Sequence, residues 1–430
     1  MTEQDPIFFI TPDPVLGIGL MPENPDFHVV CLDNLPLVQL MRKEGQEVFC
    51  LKELSPNLDL PRTSRHLLGD PRTLDYIKSK TGSLKARLLF FKLNFDLERF
   101  FEKVGINFSY QVLNVPYSLA RKYEDKIEFA QWAPVGYLPT SQIISLAELL
   151  NRYTVGDYGS GDVVQLASGH AGEHTFFIKS SADLSALRSF SHLSGLKVKI
   201  SPYIKGETLT VNACTTPSEI VVSYPFKQLT GLPQLTPYLG GTCGTVWQAD
   251  LVSGKVQNTI QGMSQAIGAK MREEGFLGWF GLDFLVEEES EKVYLIECNP
   301  RLTASVSMFT QLESLSHRPT LFSLHLDVLE GKSFDRKSLA EPQGCLQGSQ
   351  ITVRNTSHGL VQSVIQSGRY REDVFQNSAV YLKDLQDPIE VLILARGQGD
   401  QIPYGKEIMR IQSLGVESSV RNGMRFLHEE

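Results

Sequence analysis

The sequence has few cysteines, no long apolar segment and no excess of basic residues. Each of these features argues against a class of protein. Its six cysteines among 430 residues include no C-x-x-C pair, and their spacing fits neither a disulfide framework nor a zinc site. No apolar run approaches about 18 residues, the length that a transmembrane helix requires. The formal net charge of -8 argues against a nucleic-acid-binding protein, which would need a basic surface.

The start of the chain has no basic segment followed by an apolar run, so we expect no signal peptide. Together with the unpaired cysteines, this predicts a protein of the reducing cytoplasm. Hydrophobic residues make up 42% and charged residues 21% of the chain, as in folded water-soluble proteins. A chain of 430 residues is too long for one compact core, so two or three subdomains are expected.

The first part of the chain predicts a small α/β domain. Short apolar segments at residues 7–10, 27–32 and 47–51 have the length of strands, and residues 35–43 have the apolar spacing of a helix. Strand, helix and strand in this order are typical of a βαβ unit with a parallel sheet. A Gly-x-Gly at residues 17–19 lacks the third glycine of a dinucleotide-binding motif.

Oxygen-bearing side chains mark two strand-like segments that are separated by an acidic stretch at residues 287–291. Asp283 lies in the first segment, and Glu297 and Asn299 lie in the second. Residues i and i+2 of a strand share a face, so Glu297 and Asn299 point the same way, with Arg301 following them. A hairpin would bring Asp283 beside Glu297. Carboxylate and amide oxygens suit Mg²⁺, so the hairpin predicts a magnesium site that carries a polyphosphate.

Gly281-Leu-Asp283 followed by Ile296-Glu-Cys-Asn-Pro-Arg301 resembles the metal-binding core of the ATP-grasp superfamily, in particular members that join a carboxylate to an amine. The resemblance implies an α/β (α+β) ATP-grasp fold in three parts. These parts are an N-terminal βαβ pre-ATP-grasp domain, a nucleotide-binding and catalytic domain, and a small β-rich C-terminal subdomain like that of biotin-carboxylase-type members. We expect them at residues 1–115, 116–335 and 336–430.

The same resemblance implies the ligands and the catalytic residues of the site. ATP and Mg²⁺, or Mn²⁺ in its place, are the implied cofactors. Asp283, Glu297 and Asn299 are the implied metal ligands. Arg301 and Asn299 are the implied catalytic residues, because a cation beside the metal would neutralise charge during phosphoryl transfer.

A Gly-rich segment upstream, residues 163–178, predicts a strand, a loop and a second strand, and is similar to the phosphate-binding loop of ATP-grasp enzymes. A plain hairpin turn is the alternative. Residues 170–174 also match the H-x-x-E-H pattern of a zinc protease, but glycines and β-branched residues disfavour the helix that this chemistry needs. The nucleotide-binding residues expected here are Gln165, Gly169, His170, Gly172 and Thr175.

Gln165 departs from the family pattern, which often has a lysine at this position. Glutamine can donate and accept hydrogen bonds, but it cannot neutralise a phosphate. Another cation is therefore expected to compensate, or the phosphates bind differently. The candidates are His170, His174, Lys197 and Lys199.

Two further segments resemble parts of the nucleotide site. Lys126 begins a predicted helix that runs to residue 132, where family members have a phosphate-binding lysine, and Lys122 is the second candidate. Residues 198–211 are similar to the hinge strand whose backbone contacts adenine. This similarity implies adenine contacts at Tyr203 and Ile204 and a ribose contact at Glu207.

Residues 225–233 and 240–247 form a polar, Gly-rich stretch between apolar segments. Polar segments of this kind inside a compact domain are often functional, so we expect them to line the pocket of the acceptor substrate. Lys227 and Gln228 would hold a carboxylate or a phosphate there. An ordinary surface loop is the alternative.

The resulting hypothesis is an ADP-forming carboxylate–amine ligase, which activates the acid as an acyl phosphate. The expected partners are a small-molecule carboxylate and an amine, such as amino acids or peptides, with neither nucleic acid nor membrane. A homodimer is the default assembly. Two alternatives stay open: a small-molecule kinase with the same site, and an ATP-binding module without turnover.

Overall fold

The structure is a computed structural model of the chain. It describes residues 4–20, 26–33, 36–56, 58–103, 108–152, 161–169, 174–190, 192–193, 195–332, 346–362, 365–397 and 401–419. Among these residues, no helix is both long enough and apolar enough to cross a bilayer.

A five-stranded parallel sheet forms the N-terminal part, in the order β3-β2-β1-β4-β5. Its central strands are mostly apolar, with His28 and Arg87 as exceptions, as is typical of parallel sheets that are covered on both faces. The predicted βαβ unit is confirmed. The elements are β1 (Ile7–Ile10), β2 (Phe27–Cys31), α1 (Pro36–Lys43), β3 (Glu47–Cys50), α2 (Leu51–Leu54), α3 (Ser64–Gly69), α4 (Pro71–Thr81), β4 (Ala86–Phe90), α5 (Phe95–Lys103) and β5 (Tyr110–Val112).

A four-stranded antiparallel sheet follows, in the order β6-β9-β7-β8. Its core is a separate apolar cluster that includes Leu149, Val164, Leu187 and Ile200. The sequence predicts residues 117–150 as mostly helical, with a break at residues 134–139 and a strand that starts at Pro139; the strand observed there is β6. The elements are α6 (Tyr117–Glu124), α7 (Lys126–Trp132), β6 (Gln142–Ser145), α8 (Leu146–Arg152), β7 (Asp162–Leu166), β8 (Thr175–Ile178), α9 (Ser185–Arg188) and β9 (Lys197–Pro202).

Apart from β17 and β21, which pair only with each other, the strands after β9 belong to an eleven-stranded sheet. Ten of its strands follow the order β15-β14-β10-β12-β13-β16-β22-β20-β18-β19, and β11 pairs with β10. The predicted hairpin around the acidic stretch is β14–β15. The elements as far as the second boundary expected from the sequence are β10 (Gly206–Thr215), β11 (Ile220–Val222), β12 (Phe226–Thr230), β13 (Thr242–Trp247), α10 (Gly254–Glu273), β14 (Gly278–Glu287), β15 (Val293–Asn299), α11 (Val306–Leu315) and α12 (Leu321–Leu329).

The C-terminal part is rich in β-strands, as expected, and its first strand continues the same large sheet by pairing with β13. This pairing crosses the boundary expected near residue 335, and the three domain boundaries stay predictions. The α/β fold class itself is confirmed. The remaining elements are β16 (Gly348–Arg354), β17 (Val361–Gln362), β18 (Gly368–Arg371), β19 (Val374–Asn377), β20 (Glu390–Ala395), β21 (Gln401–Ile402) and β22 (Glu407–Ser413).

Charged side chains join the N-terminal and C-terminal parts. We name Asp13, Asp33, Arg62, Arg396 and Arg410 the arginine–aspartate cluster. Arg62 lies 2.5 Å from Asp33 and 3.4 Å from Asp13, and Arg396 lies 3.3 Å from Asp33. Burial alone would raise the pKa of Asp13, but Arg410, Arg396 and Arg62 outweigh it and hold that pKa below its usual value. The two ends of the chain are therefore linked through buried charge.

Candidate functional site

A cleft of about 590 Å³ lies between the four-stranded sheet and the β10–β12–β14–β15 part of the large sheet. This volume is in the range of pockets that bind small molecules. Both walls are built from strands, so alternate residues of each strand face the cleft. The lining includes Lys126, Val163, Gln165, Thr175, Phe177, Lys199, Ser201, Tyr203, Ile204, Thr208, Gln228, Thr230, Asp283, Leu285, Ile296 and Glu297.

The predicted acidic face lies on the large sheet. Asp283 of β14 is directly opposite Glu297 of β15, and Asn299 is opposite Gly281. Asp283 accepts hydrogen bonds from the Thr210 hydroxyl at 2.6 Å and from the Asn299 amide at 3.1 Å. Two carboxylates and an amide therefore meet on one surface, as the hairpin predicts.

A negative charge on the Asp283 carboxylate is unfavourable unless a cation is bound beside it. Burial, followed by the proximity of Glu297, raises the pKa of Asp283 to about 7, although Thr210, Lys126 and Arg301 oppose this shift. A divalent cation would offset both carboxylates, and their oxygens together with the Asn299 amide oxygen are the ligand types that Mg²⁺ prefers. The residues present therefore fit a magnesium ion, with only two carboxylates in the set.

Lys126 reaches the same surface from the other side. The side chain of Asp125 caps α7 by accepting from the backbone N–H groups of Ile127 and Glu128, at 2.9 and 3.0 Å. The backbone N–H of Lys126 donates to the Ala167 carbonyl at 2.9 Å. With its helix fixed in this way, the Lys126 side chain is 8% exposed and forms an ion pair with Glu297.

Arg301 lies at the end of the hairpin, outside the lining of the cleft. Its guanidinium donates to Glu124 at 3.0 Å and to the Asn299 side-chain oxygen at 2.9 Å. Lys92 also contacts Glu124, at 2.7 Å. Burial alone would raise the pKa of Glu124, but Arg301 and Lys92 outweigh it and keep that pKa below its usual value. Arg301 is thus held rigidly, one contact away from Asp283 through Asn299.

The four-stranded sheet presents a polar row to the cleft. Gln165 of β7 is paired with Thr175 of β8 on one side and with Lys199 of β9 on the other. The Gln165 amide lies 3.4 Å from the Thr175 hydroxyl. Lys199 is only 3% exposed. Burial, followed by repulsion from Lys126, lowers the pKa of Lys199 to about 8.

The end of β9 forms the rim that the sequence predicts as a hinge. The Tyr203 N–H donates to the Gly161 carbonyl at 2.9 Å, whereas the Ile204 N–H makes no such bond to a described backbone group. The ring of Tyr203 lies 6.0 Å from that of Phe177, edge to face. Gly206 begins β10, where a side chain would collide with the Val286 carbonyl. The rim is therefore an apolar wall that carries one backbone donor, the Ile204 N–H, without a bond to a described backbone group.

Some candidates lie elsewhere. Glu207 is on the opposite face of β10 from Thr208 and forms an ion pair with Lys227 at 2.5 Å, so neither side chain lines the cleft. Lys122 pairs with Glu274 at 2.6 Å, away from the acidic face. Gly169 lies outside the lining, and its neighbour His174 contacts the Ser168 carbonyl. His170 and Gly172 lie outside the described residues.

The stretch that the sequence predicts as a polar acceptor loop is instead the paired strands β12 and β13. Gln228 on β12 does line the cleft and donates to Asp283 at 2.7 Å. Sequence patterns alone do not identify Ser201, Thr208, Leu285 and Ile296 as lining residues. For Ser201, Thr208 and Leu285 the signal is the two-residue alternation within each strand, which shows a shared face but does not show which face meets the cleft. Ile296 lines the cleft beside Glu297 at an irregularity in the β14–β15 pairing, which alternation does not predict.

Comparison with known proteins agrees with this geometry. Residues 155–305 match the model of an ATP-grasp domain. Biotin carboxylase of Campylobacter jejuni superposes with a TM-score of 0.62 at 13% identity, covering 96% of this chain and 87% of that chain. The ADP complex of N5-carboxyaminoimidazole synthetase of Staphylococcus aureus gives 0.59 at 12% identity, covering 100% and 98%.

The ATP complex of carboxyaminoimidazole ribonucleotide synthase of Aspergillus clavatus gives a TM-score of 0.57 at 13% identity, covering 99% of this chain and 97% of that chain. At such identities the likeness is one of fold. No curated protein sequence matches the chain.

Proposed function

We propose that this chain, an ATP-grasp protein by its matching domain and its fold, is an ATP-dependent ligase that joins a small-molecule carboxylate to an amine and releases ADP and phosphate. The observation that carries the proposal is the pairing of Asp283 with Glu297 at the wall of the 590 Å³ cleft, with Lys126 against the same carboxylate. Acid pairs that face a basic side chain suit the binding of a metal–polyphosphate.

The nucleotide has a natural orientation in this cleft. Phe177, Tyr203, Leu285 and Ile296 supply an apolar lining for a base, and the Ile204 N–H is available to its edge. Lys126 and the acidic pair define the polar end, where the phosphates belong. This arrangement keeps Tyr203 and Ile204 in the roles expected from the sequence. It leaves the ribose without Glu207, whose side chain lies on the other face of β10.

Asp283, Glu297 and Asn299 would hold the magnesium ion, or manganese in its place. When bound, the metal supplies positive charge that offsets the charge of the phosphates. The protein's own contribution is rigidity. Thr210, Gln228 and Asn299 all donate to Asp283, so its carboxylate is oriented before any ligand arrives.

The proposed reaction has two steps. An oxygen of the substrate carboxylate attacks the γ-phosphorus, the bond to the bridging oxygen breaks, and ADP leaves. The neutral amine then attacks the carbonyl carbon of the acyl phosphate, phosphate leaves with the bonding electrons, and the amine proton passes to solvent or to phosphate. Arg301, fixed by Glu124 and Asn299 just outside the lining of the cleft, would add positive charge near the metal ligands as negative charge develops.

The test is ADP release by the purified protein with Mg-ATP, small carboxylic acids including amino acids, and hydroxylamine as a trap. We expect ADP release that depends on the acid and is accompanied by a hydroxamate, because hydroxylamine replaces the amine in the second step. ADP release with a stable phosphorylated product and no hydroxamate would instead identify a kinase. Nucleotide binding without release under any acid would favour a module without turnover.

A further inference from the structure

The cleft contains a buried cation that the proposed chemistry does not yet use. We propose that Lys199 binds the phosphates of the nucleotide, supplying from β9 the positive charge that Gln165 on β7 cannot supply. This inference rests on the proposed function, because it requires a nucleotide in the cleft.

The register of β7 against β9 places the side chains of Gln165 and Lys199 next to each other. Gln165 and Lys199 are direct partners in the antiparallel pairing of β7 with β9. Side chains in such pairs have Cβ atoms about 5 Å apart and point to the same face. Both residues are buried, at 6% and 3% exposure, and both line the cleft. The long side chain of Lys199 therefore reaches the volume that a side chain at position 165 would occupy.

Lys199 is the buried lysine that lacks an acidic partner. Lys126, the other buried lysine of the cleft, is paired with Glu297. Within the described part of the chain, no carboxylate lies at ion-pairing distance from Lys199, whose electrostatic neighbours are Lys126 and, more weakly, Glu297. A buried ammonium without a counter-ion is unfavourable. An anion arriving in the cleft would remove this penalty, which gives the free protein a site prepared for phosphate.

The other cations considered for this role are placed differently. His174 is half-buried, contacts the Ser168 carbonyl and lies outside the lining of the cleft. Lys197 is on the same strand and the same face as Lys199, but it is exposed at the start of β9 and does not line the cleft. Lys197 therefore provides a matched control: the same residue type on the same strand, outside the cleft.

Three variants test the assignment: Lys199→Gln, Lys197→Gln and the double variant Gln165→Lys/Lys199→Gln. Calorimetry would measure the affinity for ADP, ATP and adenosine. For Lys199→Gln we expect roughly a 10- to 100-fold loss of affinity for ADP and ATP, because losing one interaction of ordinary strength lowers an affinity about tenfold. The affinity for adenosine, which has no phosphate, should not change. The double variant should recover most of the loss, and Lys197→Gln should bind as the wild type does.

Thermal melting without ligand separates this role from a structural one. Removing an unpaired buried charge should leave the melting temperature of Lys199→Gln equal to, or above, that of the wild type. A marked fall, failure to fold, or an equal loss of adenosine binding would show a structural residue and overturn the assignment. Unchanged ADP binding by Lys199→Gln would overturn the role of Lys199 but not the proposed ligase activity. If the wild type bound no nucleotide, both proposals would be overturned.

Discussion

The Asp283 carboxylate is held in place by three hydrogen-bond donors, and its negative charge is disfavoured by burial and by Glu297. These two properties predict the effect of substituting Asp283. Asp283→Asn should lower ADP release by roughly 100-fold or more, because the metal would lose a charged ligand. The free protein should be as stable as the wild type or more stable, since the repulsion from Glu297 is removed. Both quantities are measurable, by coupled ADP assay and by thermal melting.

Glu289→Gln is the control for that variant, because Glu289 is exposed in the turn of the same hairpin. It should change neither activity nor melting temperature. Wild-type ADP release by Asp283→Asn would remove Asp283 from the metal site.

Glu313 predicts a pH dependence of stability. It is buried in α11, accepts from the Leu321 N–H at 3.0 Å, and has a pKa raised by burial from 4.5 to about 8. The unfolded chain loses this proton near pH 4.5, whereas the folded chain keeps it up to about pH 8. The free energy of unfolding should therefore fall across this interval and then level off.

Glu313→Gln cannot ionise and should remove this part of the decline. Compared with the wild type, it should gain stability between pH 5 and pH 8 by on the order of a few kcal/mol. Urea unfolding of both proteins at the two pH values measures the difference. Parallel pH profiles for the two proteins would show that Glu313 ionises normally.

At the level of single residues, the grouping of the three proposed metal ligands on one face could be predicted from the sequence, whereas their surroundings could not. Asp283, Glu297 and Asn299 are spaced by the two-residue period of a strand, so one hairpin determines which face they share. Lys199 and Gln165 meet only because β7 pairs with β9 in a particular register. The resemblance implies a ribose contact at Glu207, but strand alternation turns its side chain to the opposite face from Thr208, which lines the cleft.

Helix α7 is the element that presents Lys126, and its N-cap gives a prediction at that scale. Asp125→Ala should cost about 1 kcal/mol of stability, because two backbone N–H groups lose their acceptor. It should also weaken ATP binding, since the first turn that carries Lys126 would fray. Urea unfolding and nucleotide titration measure the two effects separately.

Thr63→Ala is the matched control, because Thr63 caps α3 in the N-terminal part by accepting from the His66 N–H. It should cost a similar amount of stability and leave nucleotide affinity unchanged. Equal ATP affinity in both variants would show that the α7 cap does not position Lys126.

Elements with strong periodicity could be predicted, and those defined by distant partners could not. The β14–β15 hairpin and the βαβ unit carry their apolar patterns within one short segment. Strand β12 contains polar residues that line the cleft, and β13 contains Gly244, where a side chain would collide with the Gln350 carbonyl. Their sequences therefore favour a loop. Strand β6 has the strand-favouring residues Ile143 and Ile144, but it is short, partly exposed and followed directly by α8, so its limits depend on its pairing with β9.

The arginine–aspartate cluster sets a prediction for the molecule as a whole. Asp13→Asn keeps an acceptor for the Val15 N–H but removes the negative charge that Asp13 provides beside Arg62 and Arg410. Glu407 still pairs with Arg410 at 2.7 Å, so the variant should lose about 1–3 kcal/mol of stability rather than more. In the wild type, the contribution of Asp13 is present above pH 3.8 and is lost as pH falls through its lower folded pKa.

Urea unfolding at neutral pH measures this loss. Glu288→Gln is the control, because Glu288 pairs with Lys205 at a site where both side chains are largely exposed. That change should stay within about 0.5 kcal/mol. If Asp13→Asn is equally mild, the cluster does not hold the two ends of the chain together.

The pairing of Gln165 with Lys199 also bears on how a charge can migrate during evolution. Two substitutions, one on each strand, would transfer a cation between neighbouring strands while its location in space stays nearly constant. A search pattern written along one strand would then reject a chain whose pocket is electrostatically equivalent. A pattern written for the pair of positions, accepting lysine at either member, would recover such chains and would separate true loss of a cation from its relocation.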